Sequence, residues 1–154
     1  MAFHIVLVEP EIPANTGNIA RTCAATGAAL HLVHPLGFHT DDKSLKRAGL
    51  DYWHAVRIEY HDSFDQLLEK YKDGRFWYST TKANKSYHDV QYMDNDFFVF
   101  GKETAGLPAS ILERNPDQLI RLPMTDTVRS MNLSNCAAIV LFEALRQSGF
   151  PGIH

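Results

Sequence analysis

The sequence predicts an α/β fold, a mostly parallel sheet with helices on both faces. Short apolar runs alternate with stretches of helical periodicity from end to end, the pattern of successive βα units. Those runs are apolar at most positions, as in strands buried on both faces, rather than only at every second position. The chain has 154 residues, 45% hydrophobic and 21% charged, with no repeat, low-complexity tract or linker, so residues 1–154 form one domain.

Each element has a local reason. Phe3 to Val8 is β-branched and apolar, a core strand. From Asn15 to Gly27, Ile19, Ala20, Cys23 and Ala24 fall at helical spacing; Asn15 or Thr16 can cap the start, and Gly27 can end it. Leu30 to Val33 is a second strand. Asp41 to Ala48 is a helix with Asp41 or Asp42 near its start, and Ala55 to Ile58 a short strand. Ser63 to Tyr71 is amphipathic, with Phe64, Leu67, Leu68 and Tyr71 on one face. Phe76–Ser79 and Phe97–Phe100 are core strands, and Leu119–Leu122 is a shorter one. Ser134 to Gln147 is the last helix, capped by Ser134 or Asn135 and ended by Gly149 and Pro151. Ala137, Val140, Leu141, Ala144 and Leu145 form its apolar stripe. Ile139 and Phe142 lie off that stripe, as in a helix that is either central to the core or shared with a partner chain.

Several classes are excluded or disfavoured. No apolar run approaches the ~20 residues of a membrane span, and no secretory signal is present. Two distant cysteines, Cys23 and Cys136, give no disulfide framework, so the chain reads as cytoplasmic. A net charge of −3 disfavours a strongly basic nucleic-acid binder, although Lys43, Lys46 and Arg47 share one helix face. There is no G-x-G-x-x-G, Walker loop or nucleophile elbow. The eight histidines show no metal-ligand spacing and read as scattered surface or strand-end residues, so no metal is expected. Cys23, on an apolar helix face, reads as core.

Three segments rich in glycine, amide and hydroxyl residues each follow a strand. The first runs E-P-E-I-P-A-N-T-G-N-I-A-R-T from Glu9; Asn18 and Arg21 share its polar face, and a helix start with an arginine one turn in suits an anion. The second is F-G-K-E-T-A-G-L-P from Phe100, a tight loop at a strand end, where open parallel sheets bind ligands. The third is I-R-L-P-M from Ile120, then R-S-M-N-L-S-N from Arg129, whose Ser130, Asn132 and Ser134 suit hydrogen bonding to a cofactor or a reacting oxygen.

Together the segments resemble the SPOUT superfamily of RNA methyltransferases, more narrowly its small tRNA wobble-nucleotide 2′-O-methyltransferases. Asp41-Asp42-Lys43, Arg47 through Tyr52, and Thr80-Thr81-Lys82 match as well. The resemblance implies S-adenosylmethionine as cofactor, a C-terminal trefoil knot, and a homodimer through the C-terminal helix. It implies 2′-O-methylation of cytidine or uridine at position 34, in the tRNA anticodon stem-loop. An RNA-binding module without catalysis and a ribosomal RNA 2′-O-methyltransferase are the alternatives. It assigns cofactor contacts to Ser79, Gly101, Leu122 and Ser130, with Ile120, Met131 and Leu133 lining the same pocket. Arg21 is assigned to catalysis and RNA, with Asn18, Asn132 and Ser134 around the chemistry and Lys43 and Arg129 as RNA contacts. Two positions depart from the family pattern: Ala105 stands where arginine is common, and Phe142 where tyrosine is common.

Overall fold

The computed structural model describes residues 2–39, 42–48 and 50–154, with the side chains of Leu50 and Asp51 left out. Asp41, and Gly49 within the Arg47–Tyr52 match, lie outside the described residues. The strands are β1 (His4–Val8), β2 (Ala29–Val33), β3 (Ile58–His61), β4 (Phe76–Ser79), β5 (Lys85–Ser86), β6 (Phe97–Phe100) and β7 (Leu119–Arg121). The helices are α1 (Pro13–Thr26), α2 (Lys43–Ala48), α3 (Phe64–Lys70), α4 (Ala109–Arg114) and α5 (Leu133–Gln147). The strands form one sheet in the order β3-β2-β1-β6-β4-β7-β5, with parallel pairing at every step.

The pleat divides the apolar residues between two layers. Ile5, Leu7, Leu30, Leu32 and Phe98 face one side, where Ile19 and Cys23 of α1 and Val140 and Leu141 of α5 cover them. Val6, Val8, Val33, Phe97 and Val99 face the other side, under Phe64 and Leu67 of α3 and Ile111 and Leu112 of α4. Both faces are covered, so the strands are buried on both sides, polar His4 and His31 included.

The chain leaves β1 for β2 and β3 on one side, whereas β6, next to β1, is followed by β4 and then β7 on the other. The connections following β1 and β6 therefore part at the sheet's carboxyl edge, and a crevice opens between them. Glu9, the first residue beyond β1, has φ 55°, an unusual value for a side chain of its size, and its N–H donates to the Val33 carbonyl. This bend starts the first motif.

Several sequence expectations are corrected. Val56 is buried, but the strand begins only at Ile58, because residues 50–55 form a 3₁₀ helix packed against α1. Helix α1 begins at Pro13, with the pyrrolidine at a position where no N–H is needed. Neither Asn15 nor Thr16 caps it. Gly27 does end it, at φ 80°, with its N–H on the Cys23 carbonyl. Asp42 caps α2 by accepting from the Ser44 N–H at 2.8 Å. The cap of α5 is Asn132, whose Oδ1 accepts from the Ser134 and Asn135 N–H groups; the two expected caps are its donors. Helix α4 and the short β5 lie in stretches given no element from sequence. Ile139 is half-buried against the core, while Phe142 is 45% exposed.

The histidines are the largest correction. His4, His31 and His61 are buried, on three adjacent strands, and hydrogen-bonded in a row. A pattern read along one strand cannot see neighbours brought together across the sheet.

Candidate active site

The crevice holds a cavity of about 590 Å³. Its walls are the end of β4 and the residues after it (Ser79 to Lys82), the loop past β6 (Gly101 to Leu107), and the stretch past β7 with Leu122, Met124 and Arg129 to Leu133. Ile12 and Asn15 close one side. All three sequence motifs thus meet at one place, although they are far apart in the chain.

The second motif folds back on itself. The Gly106 N–H donates to the Lys102 carbonyl at 2.8 Å, which brings the Gly106–Leu107 backbone over Gly101. A Cβ on Gly101 would overlap the Gly106 carbonyl and the Leu107 nitrogen. Glycine is required there by the loop's own closure. The resemblance assigns Gly101 a cofactor contact; the loop's closure demands glycine whether or not a ligand is present.

Glu103 ties this loop to the first motif. Its carboxylate accepts from the Glu11 and Ile12 N–H groups, both at 2.9 Å, and from Asn15 Nδ2 at 3.1 Å. The first two are backbone donors ahead of α1, so a residue 92 positions beyond Glu11 takes the place of a local cap. Glu11 returns the contact, accepting from the Thr104 N–H at 3.0 Å and its hydroxyl at 2.7 Å; these bonds hold the Glu11 carboxyl below its ordinary value. Glu9 and Lys102 add an ion pair at 3.6 Å.

Asn15 also joins the third motif, since its Oδ1 accepts from Asn132 Nδ2 at 3.1 Å. Asn132 Oδ1 takes three donors, the Ser134 and Asn135 N–H groups and the Ser134 hydroxyl at 2.5 Å. With its acceptor engaged by the helix start and its amide by Asn15, Asn132 is built to hold the third motif in place rather than to pass a proton.

Of the residues singled out from sequence, Ser79, Gly101, Leu122, Ser130, Met131, Leu133, Asn132 and Arg129 line the cavity. Ile120 is fully buried beneath it and reaches the wall through its carbonyl, which accepts from the Thr80 N–H at 3.0 Å. Ser134 lies behind Asn132. Asn18 and Arg21 stand outside the lining, on the exposed face of α1. The Arg21 guanidinium lies 4.8 Å from the Tyr52 ring centre and donates to its hydroxyl at 3.2 Å. Lys43 is exposed at the start of α2, which packs on α1. Asn15 and Glu103 were missed as junction residues. The first was considered only as a local cap, and the second has no sequence signal beyond its place in a motif.

Thiol chemistry is disfavoured: burial pushes the Cys23 thiol up to about 12 and raises that of Cys136 as well. The lining combines aliphatic side chains (Leu107, Leu122, Leu133) with hydroxyls at Ser79 and Ser130. A cavity of this size, with apolar walls and polar groups in comparable measure, suits a nucleoside-sized ligand.

A ligand crevice at the carboxyl edge of a doubly covered parallel sheet, assembled from three strand-end loops, defines an α/β enzyme of the cofactor-binding kind. The chain belongs to the SpoU rRNA Methylase family, which matches residues 2–142. It is 50% identical over 151 residues to the tRNA (cytidine(34)-2′-O)-methyltransferase of Saccharophagus degradans, covering 97% of this chain and 98% of that one. A solved structure described as bearing on the 2-OH methylation of C/U34 on tRNA superposes with TM-score 0.91 at 42% identity, covering 96% of this chain and 97% of its own. An AdoMet-bound rRNA methyltransferase from Sinorhizobium meliloti gives TM-score 0.81 at 25% identity, covering 94% of this chain and 56% of that one.

Proposed function

We propose that the protein transfers a methyl group from S-adenosylmethionine to the ribose 2′-oxygen of the wobble nucleotide, cytidine or uridine 34, of tRNA. The observation that carries this is the convergence of all three motifs on one cavity, in a chain that matches tRNA (cytidine(34)-2′-O)-methyltransferases over nearly its whole length.

The cavity fits the cofactor in size and lining. Leu107, Leu122 and Leu133 supply apolar walls, and Ser79, Ser130 and Met131 stand where polar and thioether contacts are wanted. When bound, the cofactor supplies an activated methyl group. The chain's own task is mainly positioning, because an in-line displacement depends on holding the oxygen close and aligned. The Glu103–Asn15–Asn132 bonds fix the three motifs relative to one another before any ligand arrives.

Arg21 keeps its positive charge throughout and serves poorly as a base. Its place on the exposed face of α1, steadied by Tyr52, suits a clamp on the phosphate beside the target ribose and a donor to charge developing on oxygen. Arg129 at the cavity rim and Lys43, Lys46 and Arg47 on α2 extend a basic track for the anticodon stem-loop.

The protein works as a homodimer through α5, a reading supported by Phe142. Its ring is exposed and lies 6.4 Å from that of the exposed Phe150, an apolar pair without cover in a single chain. A trefoil knot around the β7–α5 segment accompanies this reading, as does a cytoplasmic location, where tRNA is found. Among the described residues, no helix is long and apolar enough to cross a membrane.

The test is methyl transfer from labelled S-adenosylmethionine to unmodified tRNA and to ribosomal RNA, followed by nucleoside mass spectrometry. A 2′-O-methylated nucleoside at position 34 is expected. Cofactor binding without transfer, or methylation of ribosomal RNA alone, overturns the proposal.

A further inference from the structure

On the sheet face away from α1 and α5, register brings four polar side chains together. His31 on β2 is opposite Glu59 on β3, and His61 follows two residues later on the same face. His4 on β1 lies on the other flank of His31. The ring nitrogens meet end to end: His4 Nδ1 to His31 Nε2 at 2.9 Å, and His31 Nδ1 to His61 Nε2 at 2.9 Å. Phe97 stacks on His4 at 4.0 Å and Tyr71 turns its edge to His31 at 5.4 Å, so the walls are aromatic.

The protons in this row have one consistent arrangement. Arg57 approaches His4 Nδ1 at 3.4 Å and can only donate. His4 Nδ1 is therefore an acceptor, and the proton between it and His31 belongs to His31 Nε2. His31 Nδ1 is left with its lone pair aimed at His61 Nε2. Glu59 stands at the far end, 4.0 Å from His61 Nε2. The ligand atoms of His31, Glu59 and His61 all lie within 4.8 Å of one another.

We propose that His31 Nδ1, His61 Nε2 and Glu59 Oε1 bind a divalent transition metal of the zinc type, the metal replacing the single proton that now lies between the two histidines. Two nitrogens 2.9 Å apart subtend roughly a right angle at a metal about 2.0 Å from each, narrower than a tetrahedral angle, and Glu59 Oε1, now 4.0 Å from His61 Nε2, moves in to about 3.3 Å to complete the set. His61 then carries its proton on Nδ1 and stays neutral.

Two of the three ligands already have the outer partners that metal sites use. His31 donates its other N–H to His4, and Glu59 Oε2 accepts from the Tyr71 hydroxyl at 2.5 Å. Glu59 Oε1 is held by Lys70 Nζ at 2.7 Å, and Lys70 is an exposed side chain free to swing away. Arg57 stays 3.7 Å from Oε2 and opposes a dication, which weakens the site. The site is distinct from the cavity and would pin the edge strand β3 to β2 and to the end of α3.

The experiment titrates Co²⁺, then competing Zn²⁺, into chelator-stripped, tag-free protein, reading visible absorption and thermal midpoint. One equivalent per chain, a tetrahedral Co²⁺ band and a raised midpoint are expected. Glu59→Gln and His61→Gln should each weaken binding at least tenfold, whereas His88→Gln, at an exposed site, should leave it unchanged. Glu59 is at the sheet edge, so Glu59→Gln remains informative if His61→Gln fails to fold. Absence of stoichiometric binding in the wild type, or binding unaltered in folded Glu59→Gln, overturns the proposal.

Discussion

Glu11 and Glu103 hold each other's loops by exchanging carboxylates: Glu103 accepts from the Glu11 N–H, and Glu11 accepts from the N–H and hydroxyl of Thr104. Neither carboxylate pairs with a cation in this exchange. Each neutralises backbone donors at the rim of the cavity, and Asn15 passes the same junction on to Asn132.

Glu103→Ala removes three hydrogen bonds to one carboxylate. Bonds to a charged acceptor contribute about 1.5–3 kcal/mol each when the partners stay buried. Here the donors are partly exposed and water can replace the acceptor, so a total loss of about 1–3 kcal/mol is expected. Urea unfolding checks the stability, and calorimetry with S-adenosylmethionine should show affinity falling by more than stability alone explains. Asn15→Ala should behave similarly and add little in the double variant, since both break one junction.

Gly101→Val should abolish cofactor binding by opening the loop, because its side chain would collide with the Gly106–Leu107 backbone. Faster proteolysis between residues 101 and 107 should accompany the loss. Cofactor affinity unchanged in this variant would show that the loop closes some other way.

Arg21→Ala should lower single-turnover methyl transfer to tRNA by roughly two orders of magnitude, the scale of removing one transition-state donor. Cofactor affinity should stay within a few-fold of wild type, since Arg21 stands outside the cavity lining. Arg21→Lys should not restore the rate, because an ammonium lacks the planar fork. Collapse of affinity with the rate preserved at saturating cofactor would move Arg21 into the cofactor site.

Metal-free protein should lose stability on mild acidification. Burial, with the nearby Arg57 charge, lowers His4 to about 4. Burial, with His4 as neighbour, lowers His31 to about 3, and burial lowers His61 as well. The unfolded chain binds these protons near 6.5 and the folded one does not. Stability is therefore complete above about pH 6.5 and falls as the pH drops towards 4, with His4 and His31 contributing most because their values are lowered furthest. Urea unfolding from pH 7.5 to 4.5 measures the slope, and His61→Gln should flatten it.

Phe142→Glu should shift the protein from dimer to monomer in light scattering at micromolar concentration, because a charge left unpaired in an apolar contact is costly. A wild type that is already monomeric there would remove the α5 interface.

Local chemistry was enough for much of the molecule. β-branched and aromatic runs placed β4 and β6 within their observed limits, Gly27 ended α1, and the three motifs marked which loops would matter. These features depend on neighbours a few residues apart, and the sequence states such neighbours directly. The tertiary structure decided what depends on distant partners. Glu103 serves the start of α1, Asn132 caps α5 while bonding Asn15, and Gly101 is required by a backbone returning over it. Arg21 lies against Tyr52, and His4, His31 and His61 form a row because parallel register aligns three strands. No periodicity along the chain encodes such pairings; they arise only when the sheet closes and sets its strands side by side.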